Sequence, residues 1–302
     1  MISDIKTLFS ENELDSDVVV KKAIELGADF LRWSCLEKDE VEVARITGGQ
    51  SNLIYLVSSD SSKISSSSPS RFLLRIHCQP NVFTDTVLFS IMSERGLGPK
   101  LYGFFPGGRL EEFFPSRTLN IDNIALPEIA RKVGSLFPKY HAIDVPISKK
   151  AGAIQTIREN LDRYKRLGGN VHVMCPHSVE YEDEQIPKEI SVEQLEQEIA
   201  GQKSPLNVLE LNESKELVFI DFEYASYNWR AFDLSGHLVE NAFDYRVPYP
   251  GVKVDQDFVE NHPNLRIFCE AYIDTLYEMK NENPSQKYPV TKDRESEIED
   301  LV

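Results

Sequence analysis

The sequence predicts an α+β protein with two lobes, a small lobe built on an antiparallel sheet and a mainly helical lobe after it. Apolar and polar residues alternate on both sides of Gly48-Gly49, a pattern typical of two strands joined by a glycine turn. Between Pro127 and His141, apolar residues recur every three to four positions, which predicts an amphipathic helix. A chain of 302 residues with 41% hydrophobic content is long enough to bury two such lobes.

The composition argues against several classes of partner. The formal charge is −16, from 49 acidic and 33 basic residues, which opposes binding to nucleic acid and to anionic lipid surfaces. No apolar run approaches about 18 residues, and the acidic start of the chain does not resemble a signal peptide. The four cysteines lie far apart without a CxxC pair, so neither a zinc site nor a disulfide framework is indicated. We therefore expect a soluble, cytoplasmic protein with no nucleic-acid partner and no stable membrane insertion.

The elements of the first lobe follow from local patterns. A helix is predicted over residues 13–38, broken at Gly27. After the two strands around the glycine turn, the serine-rich insert at 58–70 is expected to form a flexible hairpin tip that buries no apolar surface. The next strand, FLLRIH, carries Arg75 within it, and a helix that ends near Gly96 leads into a further strand.

The second lobe contains the most informative stretch. The apolar run Leu217 to Ile220 ends abruptly in Asp221, which is how a buried strand delivers a carboxylate to the edge of a sheet. Asp233 stands where it could cap the helix that follows. An acid after a strand is more often a turn or a cap than a metal ligand, so each feature by itself has a structural explanation.

Several of these motifs occur together in one known family. The segment IDFEYASYNWRAFDLSGH (220–237) resembles the one that follows the catalytic loop in choline and ethanolamine kinases. GGQSN resembles the GGxSN phosphate loop of that family, FLLRIH its LLRxYG strand, and SERGLGPKLYG and GGRLEEFFPSRTL (107–119) its next elements. The resemblance implies a two-lobed protein-kinase-like fold, with the first lobe at 1–111 and the second, which begins at the hinge, at 112–302.

The resemblance also implies cofactors, substrate and site residues. ATP and Mg²⁺ are the expected cofactors, choline or ethanolamine is the expected substrate, and the dimers common in the family leave a homodimer open. The nucleotide would be bound by Gly48, Gly49, Gln50, Ser51, Asn52, Leu53, Ile54 and Arg75, and by the hinge residues Glu112, Phe113, Phe114, Pro115, Ser116 and Arg117. Mg²⁺ would be held by Asp221 and Asn207, and the amino alcohol by Glu223, Tyr224, Glu240 and Tyr245. Asp85 falls where the family has a glutamate that pairs with the strand arginine, here Arg75.

One expected motif is missing. A kinase of this class uses a loop of the form HxDxxxxN, whose aspartate positions the attacking hydroxyl. Here Pro205 is followed by Leu206 and at once by Asn207, so about ten residues of the family pattern are absent and no catalytic residue is predicted. The chain also stops within a helical pattern, where the family continues with tryptophans that complete the choline pocket.

Three functions are compatible with these observations. The first is ATP-dependent phosphorylation of choline or ethanolamine. The second is a catalytically inactive, kinase-like protein that binds nucleotide or a partner, or a truncated isoform of an active kinase. A protein or antibiotic kinase fits less well, because FEYASYNWRAFD and GPKLYG favour the choline group. Because the HxD triplet is absent, we expect negligible kinase activity from the chain as written, and we expect nucleotide binding to survive.

Overall fold

A computed structural model of the protein describes residues 16–46, 52–78, 83–149, 207–222, 225–227, 230–244, 253–255, 261–285 and 290–302, with isolated residues elsewhere between 152 and 288. The chain forms two compact units. The first unit contains residues 1–116 and 219–225, and the second contains 117–218 and 226–302. No helix within the described residues is long and apolar enough to cross a membrane.

The first unit is built on a five-stranded antiparallel sheet. Its order is β1-β2-β3-β5-β4, so consecutive strands are neighbours except where β5 inserts between β3 and β4. The strands are β1 (Glu42–Ile46), β2 (Asn52–Ser58), β3 (Arg71–His77), β4 (Leu101–Phe105) and β5 (Gly108–Glu112), accompanied by helices α1 (Ser16–Leu31) and α2 (Phe83–Glu94). The antiparallel pairing of β1 with β2 confirms the two predicted strands, and the predicted glycine turn at 47–51 lies outside the described residues.

Helix α1 is shorter than predicted, and it is not broken at Gly27. It ends because Arg32 adopts a left-handed conformation (φ 57°), which lets the Trp33 N–H donate to the Gly27 carbonyl at 3.0 Å. The Trp33 ring then covers Gly27 so closely that a Cβ there would lie 2.9 Å from the ring. The glycine therefore makes room for a buried tryptophan.

The serine-rich insert also differs from the expectation. Its two ends are joined by a hydrogen bond from Ser59 N–H to the Ser70 carbonyl at 2.9 Å, and the Trp33 indole donates to the Pro69 carbonyl at 3.0 Å. Ile64, within the insert, packs against the core of the first unit. The prediction that this segment buries no apolar surface was wrong, because the partly buried side chain of Ile64 packs on that core.

The second unit is mainly helical. Its longest described helices are α4 (Pro127–His141), α5 (Arg230–Glu240) and α6 (Leu265–Glu282), with the shorter α3 (Ile121–Ile124) and α7 (Arg294–Glu299). A small sheet of order β10-β9-β6 is formed by β6 (Ser116–Thr118), β9 (Val208–Leu211) and β10 (Leu217–Phe219), and two-stranded pairs are formed by β7 (Asn170–His172) with β8 (Glu189–Ser191) and by β11 (Phe243–Asp244) with β12 (Lys253–Val254).

Helices α4 and α6 pack at close range in the core of the second unit. A Cβ on Gly134 of α4 would lie 2.4 Å from the Phe268 carbonyl oxygen of α6, so only glycine allows this approach. Helix α4 has the predicted bounds, and it continues past Pro138, whose carbonyl still accepts a bond from the Ala142 N–H at 3.0 Å.

Candidate functional site

A buried network of four charged side chains lies in the first unit. Arg75 on β3 stands opposite Arg109 on β5 in the strand register. Both arginines donate through Nε to the same oxygen of Glu111, Oε1, at 2.5 Å from Arg75 and 2.7 Å from Arg109. Arg109 also pairs through Nη1 with Asp85 of α2. The two carboxylates neutralise two guanidinium groups that face each other across the sheet.

The partner of Asp85 differs from the one that the family resemblance implied. Asp85 pairs with Arg109, and Glu111 takes the place beside Arg75 that was predicted for Asp85. Arg109 and Glu111 are two residues apart on one strand, so their side chains project from the same face of the sheet. The alternation Arg-Leu-Glu in a strand pattern was the sequence signal for this arrangement.

The network keeps Arg75 charged and leaves its two Nη groups available for a ligand. Burial alone would lower the pKa of Arg75, but the carboxylates of Glu111, Asp221 and Asp85 raise it above its ordinary value. Burial would likewise raise the pKa of Glu111, but Arg75 and Arg109 hold that pKa below its usual range. Among the described residues, Arg75 makes its hydrogen bond through Nε, so both Nη groups remain for an anion such as phosphate.

The start of β2 lies beside Arg75. Ile54 is opposite Arg75 in the strand register, and Asn52 is opposite His77. The Asn52 Oδ1 lies 3.3 Å from the His77 Nδ1. The predicted nucleotide residues Asn52, Leu53 and Ile54 are therefore on the strand next to the arginine, whereas Gly48, Gly49, Gln50 and Ser51 lie outside the described residues.

The predicted hinge begins where β5 ends. The main chain of Glu112 is still used by the fold, since its N–H donates to the Lys100 carbonyl at 2.8 Å. Phe113, Phe114 and Pro115 then lie between β5 and β6, beyond the strand ladder, where main-chain groups can bond to a ligand. The Phe114 carbonyl accepts a bond from the Ser116 hydroxyl at 2.9 Å, which tightens this turn.

The last predicted hinge residue, Arg117, belongs to the second unit. Its Nε and Nη2 donate to the two carboxylate oxygens of Glu210, at 3.2 Å and 3.1 Å. This two-point ion pair connects β6 to β9. The side chain of Arg117 is thus occupied by the fold, and any nucleotide contact would be made through its main chain.

Asp221 follows β10 and lies in a left-handed conformation with φ 63°. Non-glycine residues rarely adopt this conformation, and it is frequent at functional sites, where the surrounding structure holds it. The next residue, Phe222, is buried and lies close to Gly98, where a Cβ would be 3.5 Å from its ring. A carboxylate oxygen is the ligand type that Mg²⁺ prefers, so the residue type and its fixed backbone fit the metal role.

The remaining predicted residues are only partly described. Asn207 immediately precedes β9, where the Leu119 N–H donates to the Val208 carbonyl at 3.1 Å. Asn207 is in the second unit and Asp221 in the first, so their joint action on a metal stays a prediction. Glu240 is the last residue of α5, whereas Glu223, Tyr224 and Tyr245 lie outside the described residues. Within the described part of the chain, no group of three or more His, Cys, Asp or Glu residues could hold a metal.

The predicted helix cap at Asp233 was wrong. Helix α5 begins at Arg230, so Asp233 lies inside its first turn. The Asp233 Oδ2 lies 3.4 Å from the Nε2 of His141, the last residue of α4.

The sequence contains no HxD triplet. None of its six histidines is followed two positions later by an aspartate: His77, His141, His172, His177, His237 and His262. His237 is fully buried, and burial lowers its pKa to about 3, so it is uncharged at neutral pH. The segment just before Asn207, where the family has its catalytic loop, lies outside the described residues.

Comparison with known sequences identifies the family to which this chain is similar. The sequence model of the family described as choline/ethanolamine kinase matches residues 43–204 and 203–302, and its two segments meet just ahead of Asn207. Choline kinase B1 of Caenorhabditis elegans is 48% identical over 306 residues, which cover 94% of this chain and 80% of that protein. Choline kinase B2 of the same organism is 46% identical over 304 residues, which cover 93% of this 302-residue chain and 80% of that protein. Since that alignment is longer than the part of the chain it covers, the relative has residues for which this chain has none.

Comparison with solved structures confirms the predicted fold class. The choline kinase from Cryptosporidium parvum matches with a TM-score of 0.67 and 17% identity, covering 95% of this chain and 85% of that one. At that identity the likeness concerns the fold alone, which is the two-lobed, protein-kinase-like α+β fold that the sequence predicts.

Proposed function

This chain belongs to the choline/ethanolamine kinase family, and from that premise we propose that it carries out the ATP-dependent phosphorylation of choline or ethanolamine. The observation that carries the proposal is the state of Arg75. This arginine is buried and kept charged by Glu111, yet its two Nη groups have no hydrogen-bond partner among the described residues. A guanidinium held in this way suits phosphate oxygens, which accept two parallel N–H bonds.

The nucleotide is assigned to residues of the first unit and the hinge. In this assignment the main chain of residues 48–54, from the glycine turn into the start of β2, covers the phosphates, and Arg75 pairs with them. The main chain of residues 112–117 bonds to adenine. Asp221 and Asn207 would hold Mg²⁺, which when bound neutralises the charge on the phosphate oxygens.

The acceptor is assigned to residues with the chemistry that a small cationic alcohol requires. Glu223 and Glu240 supply negative charge, and Tyr224 and Tyr245 supply aromatic faces, which attract an ammonium group by about 0.5–2 kcal/mol per ring. The aspartate that would position the hydroxyl is absent ahead of Asn207. Turnover by this chain should therefore be negligible.

The family resemblance supports a wider setting for the reaction. We propose that the reaction is the first step of phosphatidylcholine and phosphatidylethanolamine synthesis and that it takes place in the cytoplasm. We also propose that the protein is a homodimer. Sedimentation equilibrium of the purified chain tests the last of these, and a monomer at all concentrations would contradict it.

The decisive experiment measures binding and turnover on the same preparation. We expect millimolar Mg-ATP to raise the melting temperature, because a ligand that binds the native state stabilises it by mass action. A coupled ADP-release assay with choline, with ethanolamine and with neither then tests for acceptor-dependent turnover. Absence of any nucleotide-induced shift would reject the proposed nucleotide site, and a shift without acceptor-dependent turnover at any enzyme concentration would favour an inactive nucleotide-binding protein.

A further inference from the structure

Among the described residues of the first unit, Arg109 is the most deeply buried cation. It is 1% exposed, its guanidinium lies 4.0 Å from the ring centroid of Phe89, and it pairs with both Glu111 and Asp85. Such a side chain is not accessible to substrate or nucleotide. Any part it has in binding must therefore act through a neighbour.

The neighbour through which it can act is Arg75. Arg75 and Arg109 share a single carboxylate oxygen, Oε1 of Glu111. Because Arg109 holds that oxygen at 2.7 Å from its own Nε, Glu111 meets Arg75 at Nε and leaves the Nη groups of Arg75 without a partner among the described residues. The position of Glu111 thus decides which N–H groups of the Arg75 guanidinium stay available to a ligand.

The charges of the network point the same way. Asp85 and Glu111 together balance Arg75 and Arg109, two negative charges against two positive ones. Without Arg109, both buried carboxylates would have Arg75 as their nearest cation, and buried charges without a partner are costly. We expect Glu111 then to turn toward the Nη groups of Arg75 and to compete with an incoming phosphate.

We propose that Arg109 is a positioning residue for nucleotide binding, which takes up Asp85 and orients Glu111 so that Arg75 can present both Nη groups to the phosphates of ATP. The inference rests on the proposed function, because it assumes that Arg75 binds phosphate. It adds a residue that contacts no ligand, and it gives Asp85 a role through Arg109.

Calorimetric titration of the full chain with Mg-ATP and with adenosine tests the proposal without requiring turnover. We expect Arg109→Met to weaken Mg-ATP binding by about ten- to a hundredfold, the range for losing charge-assisted hydrogen bonds, and to leave adenosine binding unchanged. Adenosine lacks phosphates, so a general loss of structure would weaken both ligands alike. Arg109→Lys retains the charge but reaches fewer acceptors, and it should recover part of the lost affinity.

Four further variants separate positioning from stability. Leu110→Ala is the matched control, since Leu110 is fully buried on the same strand and carries no charge, so it should lower the melting temperature and leave the ratio of ATP to adenosine affinity unchanged. Asp85→Leu combined with Arg109→Met removes a neutral pair, so the fold should be recovered while ATP binding stays weak. Arg75→Ala should weaken ATP as much as Arg109→Met does, and the two changes together should add little.

The outcomes distinguish two failures. If Arg75→Ala leaves the affinity for Mg-ATP unchanged, the proposed function of the network is wrong. If Arg75→Ala weakens ATP but Arg109→Met does not, or if Arg109→Met weakens ATP and adenosine equally, the positioning role of Arg109 is wrong and the proposed nucleotide site stands.

Discussion

The two units of this protein use buried charge in different ways. In the first unit, Arg75 is held by a buried carboxylate and retains hydrogen-bond donors that the described residues do not use. In the second unit, the buried carboxylate of Glu297 is fully employed, since it accepts the N–H groups of Thr291 and Lys292 at 2.6 Å and 2.9 Å and pairs with Arg230 at 3.3 Å. Burial and pairing by themselves therefore do not mark a ligand site. What distinguishes Arg75 is its two Nη groups, which have no partner among the described residues and to which we assign the phosphate.

The largest effect should come from completing the acceptor side of the chemistry. A family-type segment with an HxD triplet, inserted ahead of Asn207, should raise the turnover number with choline or ethanolamine by about 10²- to 10⁴-fold, the usual contribution of a positioned acid–base group. The reason is that the proposed nucleotide site of the first unit needs no added residue, whereas the proposed acceptor site lacks the aspartate. The coupled ADP-release assay measures the change.

The control for this insertion is the same segment with the triplet aspartate replaced by asparagine. It keeps the loop length and should leave turnover at the level of the original chain. If the unmodified chain already turned over as fast as the insertion variant, the missing aspartate would not limit it and another residue would have to position the hydroxyl.

The second largest effect concerns the metal. Asp221→Ala should abolish most of the extra stabilisation that Mg²⁺ adds to ATP, because a carboxylate ligand is lost. Thermal melts with ATP alone and with Mg-ATP measure the difference. Glu240→Ala is the comparison variant, and its Mg²⁺ dependence should match that of the original chain. A full Mg²⁺ effect in Asp221→Ala would remove Asp221 from the metal site.

The third effect is the pH dependence of the free energy of unfolding, which tests the buried His237 of the second unit. Burial lowers the pKa of His237 to about 3, so between that pH and about 6.5 the unfolded chain binds a proton that the native chain does not. The stability due to neutral His237 is fully present above about pH 6.5 and is lost as the pH falls toward 3, by about 1.4 kcal/mol per pH unit. We expect His237→Leu to flatten this part of the curve of unfolding free energy against pH.

The matched control for His237 lies on the same helix. Leu234→Ala removes a buried apolar side chain of α5, so it should lower the free energy of unfolding equally at every pH. Part of the acid dependence should persist in His237→Leu, because burial also lowers the pKa of His262. An unchanged slope in His237→Leu would mean that His237 is protonated in the native protein.

The elements of the fold followed largely from sequence, because each had a local cause. The apolar strands on either side of the glycine pair and the 3.6-residue period of Pro127–His141 are visible within a few residues. The errors arose where a distant residue decided the outcome. Gly27 resembles a helix breaker, but Trp33 packs on it, and the serine-rich insert is attached by Ile64.

The candidate site likewise has one part that the sequence predicts and another that depends on distant residues. The family motifs predict site roles for Arg75 and Asp221, but the partner of Arg75 depends on the cross-strand register and on which carboxylate lies within reach of it. The sequence spacing between Asp85 and Arg75 contains no information on either point. Arg109 lies on a strand within a motif that resembles the family's connection between lobes. The resemblance gave its side chain no role, so its part in the network was not predicted.

The smallest effect concerns Arg117, the last of the predicted hinge residues, which belongs to the second unit. Its side chain is 50% exposed, and Glu210 also lies 3.7 Å from Lys215 Nζ, so loss of Arg117 leaves that carboxylate with another cation. We expect Arg117→Ala to lower the free energy of unfolding by about 0.5–1 kcal/mol, as for other half-exposed ion pairs. Adenosine affinity should not change, because any contact with adenine runs through the main chain. Denaturant unfolding and adenosine titration of Arg117→Ala, Glu210→Gln and the double variant measure both quantities, and the two single changes should be less than additive. A clear loss of adenosine affinity in Arg117→Ala alone, with Glu210→Gln unaffected, would show that the side chain itself reaches the nucleotide.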